Sequence, residues 1–199
     1  MVIIIGISGP STSGKSTISK VLSSELSCKV ICTDFYFKVN SELPRIEIKG
    51  QMCLNFDSPD SIEWNYLLEE IEKHKEDPYL ILEGFILFAN PEIEKIVDIL
   101  ISIDFKADDF QIALERRLNR RGSSVPADYL DDPFKNEYNY LAYYFQEIVW
   151  KNYANNPHYI TPLTWSKPIL KLSATDEIEE NIGLSLSFIN SRRKSKCGI

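Results

Sequence analysis

The stretch Gly9-Pro10-Ser11-Thr12-Ser13-Gly14-Lys15-Ser16 follows an apolar run over residues 2–7 and precedes a helical pattern beginning at Thr17. It fits G-x-x-x-x-G-K-[ST] at every fixed position, between a strand and a helix. Each residue type has a physical reason to be there. Glycines let the backbone curl so that successive N–H groups converge on phosphate oxygens. The following helix turns its positive end toward the same anion. Lys15 supplies a mobile positive charge for the outer phosphates, and the Ser16 hydroxyl suits a magnesium shell. The bland alternative is a Gly/Ser-rich turn before an ordinary helix. It does not account for the lysine and the hydroxyl at these two positions. The stretch therefore reads as a nucleoside triphosphate site.

Outward from this loop, short β-branched runs alternate with longer helical segments, as in a parallel sheet covered by helices. Strands are expected at 2–7, 29–33, 79–82, 99–103 and 169–172. The first is apolar on both faces, as a central strand must be. Helices are expected at 17–26, from Ser58-Pro59 to about 77, briefly after Asn90-Pro91, at 108–121, at 134–155, and from a Thr175 cap to about 189. Residues 35–54 read as a loop-rich excursion with Pro44 and Gly50 as breakers. The expected fold is α/β: a P-loop NTPase three-layer sandwich with a central five-stranded parallel sheet and an Arg-rich lid. Residues 1–199 form one domain. Within it, 35–56 is the expected acceptor-binding loop region, 116–134 the lid region, and 190–199 a flexible tail.

Composition narrows the function. A chain of 199 residues with 44% hydrophobic residues builds one core without a metal or disulfide staple. The balance of 22 basic against 29 acidic residues gives −7 and argues against nucleic acid as a partner. No stretch approaches the length of a membrane span. Cys28, Cys32, Cys53 and Cys197 form no C-x-x-C pair, so free thiols in a cytoplasmic setting are expected. The guanine-specifying N-K-x-D of GTPases is absent.

Carboxylates follow two of the strands. Asp34 comes after the second and Glu83 after the third. Strand carboxyl ends face the ligand crevice of an open parallel sheet. A carboxylate there can take the proton of an attacking hydroxyl or help hold magnesium; otherwise it is a turn former or a strand-end cap. Arg116, Arg117, Arg120 and Arg121 end a helix, directly before a Gly/Ser/Pro loop. Compensation of the helix dipole requires fewer than four, which favours a phosphate-clamping lid.

A series of motifs in one order then carries a family resemblance. It comprises Gly6-Ile7-Ser8-Gly9 running into the phosphate loop, Thr33-Asp34-Phe35-Tyr36-Phe37-Lys38, Asn55-Phe56-Asp57-Ser58-Pro59, Leu82-Glu83-Gly84-Phe85-Ile86-Leu87-Phe88, and Arg116-Arg117-Leu118-Asn119-Arg120. The series resembles the nicotinamide riboside kinases, within the wider uridine kinase-like P-loop kinases. The resemblance covers most of residues 1 to about 150.

It implies phosphoryl transfer from ATP, with Mg2+, to the 5′-hydroxyl of a small-molecule ribonucleoside. Nucleotide contacts would come from Gly9, Ser11, Thr12, Ser13, Gly14, Lys15, Ser16, Thr17, Arg116 and Arg120. Asp34 matches the family's base and Glu83 its second essential acid, with Lys15 and Arg120 acting on the phosphates. Ser16 and Glu83 would face the metal. Asp57 and Arg117 match residues that hold ribose hydroxyls, Phe56 an aromatic that stacks on the base, and Phe37 and Lys38 flank the acceptor. A cationic pyridinium suits an aromatic face; packing onto the next helix is the plainer role for Phe56.

The chain departs from the family pattern in two places. It has Asp34-Phe35 where relatives often carry two acids. A second base-bracketing aromatic is replaced near Ser123, with Tyr129 as the candidate substitute. Nicotinamide riboside is the expected acceptor and a monomer or homodimer the expected assembly. A uridine or cytidine kinase is the alternative, although Ser58 stands where uridine kinases carry His. A non-catalytic nucleotide-binding module fits less well, because Asp34 and Glu83 are both present.

Overall fold

A computed structural model describes residues 2–196. Residues 197–199, with Cys197 and the end of the expected tail, lie outside the described residues. Five parallel strands form the central sheet: β1 (Ile3–Ser8), β2 (Lys29–Cys32), β5 (Tyr79–Gly84), β6 (Ile99–Asp104) and β7 (Ile169–Ser173), in the order β2-β5-β1-β6-β7. A separate antiparallel hairpin joins β3 (Arg45–Ile48) to β4 (Gln51–Leu54). The helices are α1 (Lys15–Leu26), α2 (Trp64–Lys73), α3 (Pro91–Ile96), α4 (Phe110–Asn119), α5 (Glu137–Tyr144), α6 (Lys151–Asn155) and α7 (Ile178–Lys196). No helix among the described residues is long and apolar enough to cross a membrane.

The two faces of β1 explain the layers. Ile5 and Ile7 point to one side, where they pack with Ile18 and Leu22 of α1, Leu114 and Leu118 of α4, Phe145 and Ile189. Ile4 points to the other, with Leu67 and Ile71 of α2 and Ile93 of α3. Both sides are buried, so the strand has to be apolar throughout. The fold is the expected three-layer sandwich.

Four elements differ from the sequence expectation, each for a backbone reason. The helix expected from Ser58 is split. Ser58 does cap a turn, accepting from Asp60 N at 3.3 Å, but the turn ends at Ser61. Residues 61–63 then pair with 36–38: Lys38 N donates to Ser61 O at 2.9 Å and Glu63 N to Tyr36 O at 2.7 Å. Backbone groups used in this way are not free for a helix, so α2 starts only at Trp64. The excursion at 35–54 contains the β3–β4 hairpin, whose two turn residues Lys49 and Gly50 have φ of 43° and 82°, as a tight hairpin turn requires. The helix expected at 134–155 is interrupted by a π turn at Phe145–Trp150. The last helix begins at Ile178 and runs to Lys196; Thr175 sits instead in a hydroxyl pair with Ser173 at 2.8 Å.

Residues 120–136, most of the expected lid, contain no helix or strand. Their far end is tied to α5 through Asn139, whose amide donates to the Asp128 carboxylate and the Asp132 carbonyl, both at 3.0 Å.

The end of β5 is close-packed against the turn that carries Asp34. A Cβ on Gly84 would lie 2.5 Å from Thr33 Oγ1 and 2.8 Å from its Cγ2. Threonine is short and β-branched and has no room to swing away. Gly84→Ala is expected to cost about 1–3 kcal/mol of stability. Adding Thr33→Ala should recover part of that loss. Additive losses in a double-mutant cycle measured by urea unfolding would contradict this contact.

Candidate active site

The phosphate loop leaves β1 at Ser8. Gly9 is required where it stands, because a Cβ would lie 2.2 Å from the Ile103 carbonyl oxygen. Thr12 takes a left-handed φ of 70° and its hydroxyl donates to Ala113 O at 3.3 Å, which anchors the loop to α4. Gly14, φ 97°, occupies the N-cap of α1, and no side chain caps the helix there. Amide donors at the start of α1 are thus left for an external acceptor. Ser13 Oγ is buried with no hydrogen-bond partner among the described residues. Lys15 is buried and its ammonium donates to Pro10 O at 2.9 Å. Burial holds its pKa below the ordinary lysine value, with Glu83 and Asp34 opposing.

Glu83, on β5, is 5% exposed. Ser16 Oγ donates to its Oε1 at 2.6 Å and Ser19 Oγ to its Oε2 at 3.0 Å. Asp34 lies in the single turn after β2, open to the cleft but enclosed by protein on its other sides. That loss of water raises its pKa, Lys15 lowers it, and Glu83 adds to the rise. Cys32, beside Glu83 in the sheet register, is pushed up to about 12 by burial and stays a neutral thiol.

These groups open into a cleft of about 330 Å³. The cleft gathers Ser11, Thr12, Gly14, Lys15, Ser16, Asp34, Phe37, Phe56, Asp57, Glu83, Arg117 and Arg120 in one place. At the end away from the loop, Phe37 meets Phe56 edge-on, centroids 5.3 Å apart, and lies 6.3 Å from Phe85. Asp57 is 8% exposed. It accepts from Tyr144 OH at 3.1 Å, and burial lifts its pKa to about 6, with the Tyr144 hydrogen bond and Arg117 opposing.

Some expected residues stand elsewhere. Arg116 does not line the cleft: its guanidinium donates to Ala174 O at 2.6 Å and lies over the Phe105 ring. Lys38 and Thr17 also lie outside the lining; Lys38 belongs to the backbone pairing with Ser61, and Thr17 is exposed on α1. Gly9 and Ser13 belong to the loop but do not line the cleft. Tyr129 does not replace the missing aromatic, because its ring packs on the sheet core and its hydroxyl bonds Gln146. Phe85, Tyr144 and Val149 line the cleft without having been expected there. Phe85 sits inside the quoted E-G-F run. Tyr144 had no signal, since it is one of several aromatics in its helix.

Among the described residues no group of three or more His, Cys, Asp or Glu side chains could hold a metal. The oxygen donors at the loop are the Ser16 hydroxyl and the Glu83 carboxylate. Such hard donors, few in number, fit magnesium, which keeps several waters and takes phosphate oxygens besides.

No protein-family model matches the chain. A uridine kinase from Borrelia duttonii (strain Ly) is 30% identical over 152 residues, spanning 63% of this chain and 72% of that protein. The chain belongs to the uridine kinase-like P-loop kinases. Human nicotinamide riboside kinase 1 is 28% identical over 213 residues, covering 98% of this kinase and 96% of that protein. Among solved structures, a gluconokinase from Sinorhizobium meliloti 1021 superposes with a TM-score of 0.58 at 12% identity, over 97% of this chain and 94% of that one. This last likeness concerns the fold.

The buried Asp57 gives a pH signature. Its folded-state pKa of about 6 lies above its ordinary 3.8. The folded protein therefore binds the proton more tightly than the unfolded chain. This group's penalty on folding is absent below about pH 4 and complete above about pH 6, on the order of 2–3 kcal/mol. Asp57→Asn is expected to raise the urea midpoint at pH 7.5 and to leave it unchanged near pH 4. A difference from the parent protein that stays constant with pH would exclude a raised Asp57.

Proposed function

We propose that this kinase transfers the γ-phosphoryl group of ATP to the 5′-hydroxyl of a ribonucleoside, and that nicotinamide riboside is its acceptor. One observation carries the reading: a single cleft joins the phosphate loop to Asp34, and beyond it to Asp57, Arg117 and the Phe37–Phe56 pair. That spacing suits a molecule with a hydroxyl near the loop, a diol beyond it and a flat base at the far end.

In the mechanism we infer, the amides at the start of α1 and Lys15 bind the triphosphate. Ser16 and Glu83 would hold magnesium, which when bound would supply neutralisation of phosphate charge. Asp57 and Arg117 hold the ribose diol, a carboxylate accepting from one hydroxyl and a guanidinium donating to the other. Asp34 orients the 5′-hydroxyl and accepts its proton as the oxygen bonds to the γ-phosphorus and the bond to ADP breaks. A carboxylate with a raised pKa is the better base for this step. Arg120 meets the charge on the transferring group. With residues 120–136 folded over the cleft as a lid, water would be excluded from a site where it would otherwise hydrolyse ATP.

The choice of base rests on two supports. The human nicotinamide riboside kinase matches nearly the whole chain, 98%, whereas the Borrelia uridine kinase match spans 63%. Aromatic faces at the acceptor end also suit a cationic pyridinium. Uridine or cytidine is the second reading, favoured by the 30% identity of that same uridine kinase.

An ADP-release assay over nicotinamide riboside, uridine, cytidine, adenosine and pantothenate tests the assignment. Nicotinamide riboside is expected to give the highest kcat/KM, and a pyrimidine nucleoside ahead of it would move the chain to the second reading. Asp34→Ala is expected to lower kcat by about 10²–10⁴-fold with ATP binding retained. Near-normal turnover would remove Asp34 from the role. Phe56→Ala should raise the nucleoside KM about tenfold while leaving the ATP KM alone; an unchanged nucleoside KM would reduce Phe56 to packing.

A further inference from the structure

We propose that Tyr144 is the positioning residue of the acceptor half of the cleft: its hydroxyl clamps the Asn55–Asp57 turn and so sets acceptor affinity. The inference rests on reading this cleft as a nucleoside site. Tyr144 OH donates to Asp57 Oδ2 at 3.1 Å and accepts from Phe56 N at 3.0 Å. One oxygen thereby fixes both the carboxylate assigned to the diol and the backbone of the aromatic assigned to the base. Tyr144 is 8% exposed and lines the cleft.

A second contact from the same helical stretch supports this. Asn152 Nδ2 donates to Asp57 O at 2.6 Å. Residues eight apart on a regular α-helix point about 80° apart around the axis. The π turn at Phe145–Trp150 lies between Tyr144 and Asn152, and both side chains reach Asp57. The wider turn takes up the angular difference, and such insertions are frequent at functional sites. Apart from these two side chains, the Asn55–Asp57 turn is held by Asn55 N donating to Pro44 O at 2.8 Å, Asn55 Oδ1 accepting Asp57 N at 3.1 Å, Ser61 Oγ donating to Phe56 O at 2.9 Å and the edge-on Phe37 ring, and none of these reaches the Asp57 carboxylate.

The clamp also acts on charge. Asp57 is faced by Tyr144 from α5, by Arg117 from α4 and by Asp34 from the turn after β2. Lys15, Glu83 and Arg120 share the cleft. Glu147 and Lys151, which border Asp57 on its outer side, are paired with each other. Of these groups, the Tyr144 hydroxyl is the neutral donor bonded to the carboxylate, and its donation favours the ionised form.

The test is Tyr144→Phe, which removes one oxygen and keeps the ring. The acceptor KM is expected to rise about tenfold or more, with kcat and the ATP KM changed less than about twofold. The acid limb of kcat/KM for the acceptor should move to higher pH, because Asp57 loses a partner that favours its charge. In the ligand-free protein, the carboxyl 13C titration of Asp57 should move the same way. An unchanged acceptor KM and acid limb, in a variant of normal thermal stability, would overturn the proposal. So would an unmoved Asp57 titration, a measurement that needs no acceptor. A wild-type protein that phosphorylates no ribonucleoside defeats the functional reading instead, and the Asp57 titration then decides the clamp by itself.

Discussion

The buried Glu83 carboxylate is the constraint around which both halves of the site are arranged. A charge with 5% exposure has to be satisfied on both oxygens, and the hydroxyls of Ser16 and Ser19 do this from successive turns of α1. The two hydrogen bonds fix α1 against the end of β5. They thereby set where the helix amides and Lys15 point. The attraction of Lys15 for Glu83 and Asp34 offsets the burial of its ammonium, so cation and carboxylates support one another in a place where each alone would be costly. Removing Glu83 would take an acceptor from Ser16 and from the buried Ser19 and a counter-charge from the buried Lys15.

The half of the cleft proposed to take the acceptor is held by a different principle. Its residues come from five separate segments: Asp34 and Phe37 after β2, Phe56 and Asp57 after β4, Phe85 after β5, Arg117 on α4, and Tyr144 on α5. What joins them is backbone pairing and single hydrogen bonds. The bridge between 36–38 and 61–63 interrupts a helix that local sequence would otherwise favour, and in doing so it brings Phe37 against Phe56. The π turn after Tyr144 interrupts a second helix beside the same residues. Both irregularities lie next to the cleft. Local propensity is overridden there because long-range contacts to the site outweigh it.

This contrast explains what could be read from the sequence. The parallel sheet follows from doubly apolar runs such as 79–82, which need partners on both faces, and from the phosphate loop, which needs a strand before it and a helix after it. The loop residues are legible because their chemistry and their spacing are local. The split at Ser61, the β3–β4 hairpin and the π turn were not legible, since each depends on a partner distant in sequence or on a two-residue turn that resembles a breaker. Arg116 and Arg120, four apart, look equivalent on a helical wheel. Yet α4 ends at Asn119, and Arg116 is drawn to the Ala174 carbonyl while Arg120 reaches the cleft. Tyr129 failed as the missing aromatic for a similar reason: Gln146 and the sheet core claim it.

The same division bears on specificity. A site whose phosphate loop lies in one short segment can keep its reaction while the far end of the cleft changes. In this chain the connections between them are Asp34, which faces both Lys15 and Asp57, and Arg117, which faces both Asp34 and Asp57. The aromatic end lies beyond these, among Phe37, Phe56 and Phe85; in the proposed reading it faces the base, and discrimination there would rest on shape and ring electrostatics. Relatives named for different nucleosides stand at nearly equal identity to this chain, 30% and 28%. Identity alone therefore does not separate the acceptors; the extent of the match and the aromatic end of the cleft carry the proposed choice between them.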